Sequence, residues 1–551
     1  MENVVTTPQP ERRRTVPLIA LVVLVVAAAL VAYFIIGRLG QPGYDAAAFL
    51  PKECAMAVTV NFASSSEKNA AAEFIRSMFA DAGVKEPEKE LYKKLSEELK
   101  MDFEKDVLAH LNGQGGFAVL TEMTVGMPEM VAVIGARSET DASALMTTLG
   151  NRLNKDKIGF ARLKHEGVDY YNIPMGQVAS CVGAVKNSVV WANSDSAFKK
   201  VVNVASGKDN LLSDDNYVKL RNVSAATFGT FYVSGPNYYK LISPFLAMAG
   251  GMMAPGTSDT FKEAMENAVA VSITMDATGD GVFFRANSIS KKPAPALKSF
   301  SADALMQFVP KDTAGVISIG DWKPYWDTMK QSLMDNPMMK QQIDQGLAQA
   351  KQMLQLDPLA DFLDRITSLS ISFTSPTRKH MNGALAVVAT LDKPETVKTS
   401  AAKIANVISN TGKMTFKPLK AGGTSFSVAA TGSTGPAISY AIIKDKLLLL
   451  LSDAAWQKSA APVADLINGR GESAAESDGF KLAKKFLDDK TCSVFYANLA
   501  QLTSLIPTGE MSDKDRKIME NIIKKVGVVA ATGTVKGNEA SGTVVIPFNR
   551  L

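Results

Sequence analysis

The feature that most constrains the fold of this chain is that its sequence runs twice through the same order of blocks. Phe49-Leu50-Pro51-Lys52-Glu53-Cys54-Ala55 returns 259 positions later as Phe308-Val309-Pro310-Lys311-Asp312-Thr313-Ala314. Asp102-Phe103-Glu104-Lys105-Asp106-Val107 returns as Asp357-Pro358-Leu359-Ala360-Asp361-Phe362, and Gly167-Val168-Asp169-Tyr170 as Gly423-Thr424-Ser425-Phe426. Lys186-Asn187, Val189-Val190-Trp191 and Ser194-Asp195 meet Lys444-Asp445, Leu447-Leu448-Leu449 and Ser452-Asp453. Late in each copy, Thr227-Phe228-Gly229-Thr230-Phe231-Tyr232 meets Thr491-Cys492-Ser493-Val494-Phe495-Tyr496. The spacing drifts by only a few residues, as small loop insertions produce. Two copies of one domain are expected, residues 46–290 and 302–551, each of a size (about 250 residues) that buries its own core. Lys291-Lys292-Pro293-Ala294-Pro295 opens a linker over 291–301.

Ahead of the copies, Val16 to Ile36 is a run without charge. As a helix at about 1.5 Å per residue it matches the hydrocarbon core of a bilayer. A transmembrane helix is therefore expected over 16–37, with the lipid bilayer as partner through 16–36. Arg12, Arg13 and Arg14 precede it, so the positive-inside bias keeps residues 1–15 in the cytoplasm and puts everything after a short tether, 38–45, outside. The competing reading is a cleavable signal peptide ending near Ala27-Ala28-Ala29; the apolar run continues past that site to Ile36, which favours the anchor. Sixty basic and 55 acidic residues are interspersed, without the basic stripe that phosphate backbones require, so nucleic acid is not an expected partner. Three cysteines, Cys54, Cys181 and Cys492, are too few for a disulfide framework and read as small buried hydrophobes.

Within each copy the periodicities change from strand to helix and back. In the first, Ala55 to Asn61 reads as a strand, and Phe74, Ile75, Met78 and Phe79 share a helix face before Leu91, Leu95 and Leu99. A strand pair over Gly116–Leu120 and Met130–Ile134 precedes a helix from Thr140 to Leu153. Turn residues at His165-Glu166-Gly167, Pro174-Met175-Gly176 and Lys186-Asn187 then mark an antiparallel meander. Ser194-Asp195 offers a helix N-cap, and strands over Phe228–Val233, Val269–Met275 and Val282–Ala286 follow. The second copy repeats this order, with a long helix through Ile343, Leu347, Ala350 and Leu354, and a late helix started by Ser512 with Asp515 as a capping box. The expected class is α+β: two tandem domains, each a largely antiparallel sheet with helices packed on one face.

The Leu-Pro-acid-small pattern at Leu50 to Ala55, the Asp102 to Val107 block leading to the glycine-rich strand Gly113 to Phe117, and the Ser194-Asp195 helix start together resemble the bacterial family of unknown function DUF3352. The resemblance covers most of Ala46 to Ile289 and, more weakly, the second copy, where Pro358 and Leu359 replace Phe-Glu. It implies an exported or membrane-anchored bacterial protein, and it brings no catalytic residues.

The chemistry-bearing residues point away from catalysis. His110, His165 and His380 are far apart and stand in polar or turn-like contexts; no zinc spacing, phosphate-cradling glycine loop or nucleophile elbow appears, so no metal or cofactor is expected. Ser65-Ser66-Glu67-Lys68 and Ser196-Ala197-Phe198-Lys199 carry the Ser-x-x-Lys pattern without the further motifs of enzymes that use it. Asp276 to Asp280 reads as a hairpin turn rather than a calcium loop. Two stretches differ between the copies. Phe245 to Met253, with Met248, Met252 and Met253, is apolar and broken by glycine, and Trp322, Tyr325 and Trp326 stand at helical spacing. Each has a core reading and a binding reading, the latter a docking or membrane-facing loop for the first and a sugar- or peptide-stacking platform for the second. The expected function is a non-enzymatic, membrane-anchored binding or scaffolding module of the cell envelope, whose partner is an envelope protein or a hydrophobic or carbohydrate ligand. The alternatives are an envelope hydrolase with a site between the copies and a carrier of a hydrophobic ligand.

Overall fold

A computed structural model of the chain describes residues 44–549, apart from 82–86, 100, 176–177, 208, 222–223, 250–261, 264–265, 336, 375–383, 412–413, 432–434, 453–455 and 503–512. The expected membrane segment 16–36, His380 and the Ser512 cap lie outside the described residues. Among the described residues no helix is long and apolar enough to cross a membrane.

The first half supplies β1 (Cys54–Asn61), helices α1 (Ser66–Asp81) and α2 (Pro87–Leu99), and the strand pair β2 (Leu111–Thr124) and β3 (Met127–Ala136). Helix α3 (Glu139–Lys155) leads to a meander of β4 (Ala161–His165), β5 (Val168–Met175), β6 (Val178–Val185) and β7 (Ser188–Ala192). There follow α4 (Asp195–Val204), α5 (Asp215–Leu220), β8 (Thr227–Ser234), α6 (Gly235–Ala249), β9 (Ala268–Thr278) and β10 (Gly281–Ser290). The second half runs α7 (Ala302–Met306), β11 (Gly315–Ile319), α8 (Trp322–Asp335), α9 (Pro337–Leu354), β12 (Ile366–Thr374), β13 (Ala384–Leu391) and α10 (Pro394–Thr411). It continues with β14 (Lys417–Ala421), β15 (Thr424–Ala430), β16 (Ala437–Ile443), β17 (Lys446–Ser452), α11 (Trp456–Ile467), α12 (Asp478–Lys484), β18 (Ser493–Asn498), α13 (Leu499–Leu502), α14 (Asp513–Val526), β19 (Val528–Lys536) and β20 (Glu539–Pro547).

All strand pairs are antiparallel and chain into one sheet. In space the first half orders its strands β4-β5-β6-β7-β3-β2-β1-β8-β9-β10. The second orders β14-β15-β16-β17-β13-β12-β11-β18-β19-β20. The registers correspond as well as the order. Val58 stands between Phe117 and Phe231, and Ile317 between Ile371 and Phe495. Outward from there, Ala132, Trp191, Val182 and Tyr171 are matched by Val387, Leu449, Tyr440 and Ser427.

Where each half was expected to have a separate sheet, β10 pairs with β20 and joins them. That junction is self-complementary. Gly281 and Glu539 hold the same place after their hairpin turns, since Gly281 faces Thr278 and Glu539 faces Lys536. Gly281 pairs with Pro547, Ile289 with Glu539, and Arg285 with Thr543 at the midpoint. Such an exchange is the pattern of a local two-fold axis through Arg285 and Thr543. At the far ends the edge strands β4 and β14 are mostly exposed and carry Arg162 and Lys164, or Lys417, Pro418 and Lys420, residues that oppose further strand addition.

The repeated sequence blocks have local physical causes. Asp102 accepts the Lys105 amide and Asp106 accepts the Asp102 amide at 3.1 Å each; Asp357 accepts from Leu359 and Ala360, and Asp361 from Asp357 at 2.9 Å. The two acids four apart thus close the same turn in both halves, leaving the residues between them free to vary. Pro51 bridges to Asn210 and Pro310 to Ser473. Lys186 and Lys444 both take positive φ (52° and 56°) in the hairpins between β6 and β7 and between β16 and β17, a type I′-like demand of a tight turn.

Helices cover both faces of the sheet, not one. On the first face α4 and α5 pack Phe198, Val201 and Tyr217 against Ala118, Val133, Val190 and Tyr232. There, α7 and α12 pack over Val316, Val494, Tyr496 and Val545, and α11 sets Trp456 and Val463 over Phe426, Leu448 and Leu450. On the second face α1 lies over Met275, Ala277 and Val282, and α6 places Leu241 on Val119 and Ala55. Helix α10 seats Val397 on Ala389, Leu391 and Leu447.

Candidate functional site

The helices of the second face leave a strip of sheet uncovered. Phe117, Ile134, Phe231, Ile273, Ile317 and Leu451 are each exposed, Ile317 to 50%. They share that face because directly paired strand residues point the same way. Ala132, Phe117, Val58, Phe231 and Ile273 form one row across β3-β2-β1-β8-β9, with Ile134 two residues along from Ala132. Val387, Ile371, Ile317 and Phe495 form the corresponding row across β13-β12-β11-β18, and Leu451 stands opposite Leu385 on the same side. Phe117, Ile134, Phe231 and Ile273 are thus grouped on β2, β3, β8 and β9, with Ile317 and Leu451 on the same face of the other half; exposed apolar groups gathered on one face are of the kind that marks interaction sites.

The aromatic residues nominated from sequence sit beside this strip in α8. Trp326 is buried, and its indole Nε1 donates to Asp364 Oδ1 at 2.6 Å, where Lys330 Nζ also reaches Oδ2 at 3.0 Å. The Lys330 and Trp326 hydrogen bonds hold the Asp364 carboxyl below its usual range against the opposing effect of burial, which is the largest influence. The Trp322 ring stacks at 6.5 Å from Trp326 and packs on the cluster of Ile366, Leu391 and Val397. Its Nε1 is buried with no acceptor among the described residues. Tyr325 is exposed. Met248 lies in α6, and Met252 and Met253 lie outside the described residues.

Polar groups inside the fold are mostly engaged in structure. Lys68 is 1% exposed and donates from Nζ to the carbonyls of Asn61 and Ala63, 2.8 and 3.3 Å; burial pushes it down to about 8, with Glu67 opposing. Ser65, three residues before it, accepts the Lys68 amide and donates to Ala225 O, which is a helix cap rather than a nucleophile–base pair. In the other Ser-x-x-Lys segment Lys199 pairs with Asp195 at 2.6 Å. Ser194 caps α4 through the Ala197 amide and donates to the buried Glu129, which Lys200 approaches at 3.5 Å. His110 meets Asp141 at 2.7 Å, and His165 meets Asn203 at 3.1 Å. Oδ1 of Asp276 takes the Thr227 hydroxyl at 2.7 Å, while the buried Oδ2, with no hydrogen-bond partner among the described residues, faces the Arg285 guanidinium as an ion pair. Among the described residues no group of three His, Cys, Asp or Glu side chains is placed to hold a metal ion.

One open polar cleft, of about 660 Å³, lies at the joint of the halves. It is bounded by the end of α5, the end of β10 and the hairpin of β19 and β20. Lys219 Nζ pairs with Glu539 Oε1 across it at 2.6 Å. Arg221 Nη1 is fixed at 2.7 Å by Asp45 Oδ2, and its guanidinium lies over the Tyr217 ring. Burial is the largest influence and works against the Arg221 charge, but the Asp45 hydrogen bond, the Asp45 charge and Tyr217 together outweigh it and raise the group above its ordinary range. Thr534 and Ser541 share a hydroxyl hydrogen bond of 2.6 Å on the wall. This cleft was not nominated from sequence. The signal that points to it is the contrast between corresponding strand positions, with Ser541 in β20 where β10 has Phe283.

The model of the family described as "Protein of unknown function (DUF3352)" matches residues 18–541, and the chain belongs to that family. A search of curated proteins finds no match. Among solved structures the chain is similar to crystal forms IV, III and I of TP0453, at 11%, 10% and 9% identity. These cover 45% of this chain and 81%, 81% and 80% of theirs, with TM-scores of 0.25, 0.26 and 0.24.

Proposed function

We propose that this DUF3352 protein is a non-enzymatic, membrane-anchored binding module of the cell envelope, made of two homologous α+β domains fused through one sheet, and that it receives a protein partner on the open second face. The observation that carries the binding role is the exposed row of Phe117, Phe231 and Ile273, with Ile317 exposed on the same face of the other half, a cost in water that a partner's apolar surface would remove. Corresponding registers over ten strands in each half support the homology of the two domains. Arg12 to Arg14 ahead of the uncharged run 16–36 support an anchor with the sheet outside the cytoplasm.

Two measurements test this. Protease added to intact cells, or to spheroplasts where there is an outer membrane, should digest the described domains; protection in both preparations rejects the topology. A photo-crosslinking side chain at Phe231 or Ile317 of the full chain in intact cells should give a discrete protein adduct. That adduct should disappear in an Ile273→Asp background and should not form from Val218 on the other side of the sheet. No adduct, or the same adducts from all positions, rejects the binding face.

A further inference from the structure

We infer that the cleft between α5 and the β19–β20 hairpin is a binding site for a small hydroxylated oxyanion, of the sugar-phosphate or sugar-acid class. The inference is independent of the apolar face and rests on a comparison inside the molecule. The local two-fold at Arg285 and Thr543 gives the cleft a counterpart, where α12 replaces α5 and the start of β10 replaces the start of β20. There Phe283 takes the place of Ser541 and packs edge-on against Phe486 with ring centroids 5.1 Å apart. Val545 takes the place of Asn287 and is fully buried. The same backbone is thus closed with an apolar plug on one side and left open with hydroxyls on the other. Since the plugged version is available to this fold, the open cleft is not a packing requirement.

Its lining identifies the ligand chemistry. Lys219, Arg221 and Lys536 contribute three cations and Glu539 one carboxylate. Lys536 is exposed and has no ion-pair partner among the described residues. A ligand oxyanion would take up Lys536 and compete with Glu539 for Lys219, exchanging an exposed ion pair of small value for charge-assisted bonds. Ser541, Thr534 and the Asn287 amide offer donors and acceptors for ligand hydroxyls. Arg221, held by Asp45, is the fixed cation of the set.

The test uses the full chain in detergent and four probes: glucose 6-phosphate, glucuronate, inorganic phosphate and glucose, each titrated by calorimetry. Glucose 6-phosphate or glucuronate should bind saturably, and glucose should not. Lys536→Gln should weaken that binding about ten-fold, and Ser541→Phe, which installs the plug of the other side, should abolish it. Glu539→Gln should tighten it several-fold by freeing Lys219, a gain that a purely structural residue would not give. Saturable binding by phosphate alone that survives Ser541→Phe, absence of binding by every probe, or equal affinity in wild type and Lys536→Gln overturns the inference. Lys536 and Glu539 are exposed, so these two variants keep the test decisive if Ser541→Phe does not fold.

Discussion

Replacing Arg285 by methionine should cost far more stability than replacing its partner Asp276 by asparagine. Asp276 is 2% exposed and Arg285 is 38% exposed, so the two losses leave different orphans. Without Arg285, a carboxylate remains shut away from water with only the Thr227 hydroxyl to satisfy it, and stranding a buried charge costs about 3 kcal/mol or more. Without the Asp276 charge, Arg285 turns to solvent it already touches, while the asparagine oxygen keeps the Thr227 hydrogen bond; about 1 kcal/mol is lost. The double variant should then be more stable than Arg285→Met alone, because neutralising Asp276 removes the stranded charge. Urea unfolding followed by tryptophan fluorescence, with far-ultraviolet dichroism to confirm the native sheet, supplies the cycle. Equal costs for the two single changes, or a double variant less stable than Arg285→Met, would refute the reasoning.

Three other outcomes follow from buried groups. The folded pKa of Lys68, about 8, lies below its unfolded value, so its penalty is complete below pH 8 and fades as pH rises toward 10.5; the wild type should therefore gain about 3 kcal/mol relative to Lys68→Met across that window, read from paired denaturation curves. Burial pushes the Cys54 thiol up to about 12 and Cys181 up to about 11, and Cys492 is buried too; a thiol reagent at pH 8 should label none of the three in the native protein and all three in denaturant. A Cβ on Gly183 would stand 2.6 Å from Phe198 Cζ and 2.7 Å from Tyr170 Cβ, so Gly183→Ala should cost about 2 kcal/mol by overpacking, measured as a fall in the unfolding midpoint.

Much of each half is legible in sequence because its contacts are local. The hairpins at Glu166-Gly167 and Lys186-Asn187, the Ser194 cap, and the strands around Gly116–Leu120 and Met130–Ile134 are fixed by turn chemistry and alternation within a few residues, and the structure has them there. The α+β class and the large antiparallel sheet follow from them. What alternation does not reveal is how strands far apart in sequence meet. The pairing of β10 with β20 joins residues more than 240 positions apart, and nothing in Val282 to Ala286 distinguishes an outer strand from one that will be joined. The expectation of helices on one face failed for a related reason: apolar residues occupy both sides of β1, β2 and β9, so the second face also recruits helices. Trp322 and Trp326 show the limit of composition, since the same aromatic spacing serves a platform or a core, and only the position of Asp364 beside the Trp326 indole shows where that ring is held.

The cleft at the joint was illegible for a deeper reason, which bears on where a sheet with a local two-fold at its joint can place a site. A self-complementary junction makes every surface feature twice, so a ligand would meet two equivalent positions unless side chains break the equivalence. Here the break needs few changes: Phe283 against Ser541 and Val545 against Asn287 seal one position and open the other. Comparing the halves along the sequence finds these pairs only after the correspondence of Gly281 with Glu539 is known, and that correspondence comes from hairpin registers. The methionine-rich and tryptophan segments stand out instead as stretches present in one half and absent from the other. Single substitutions at shared positions carry the stronger signal, because the backbone around them is the same and only the side chain can account for the difference in what the site does.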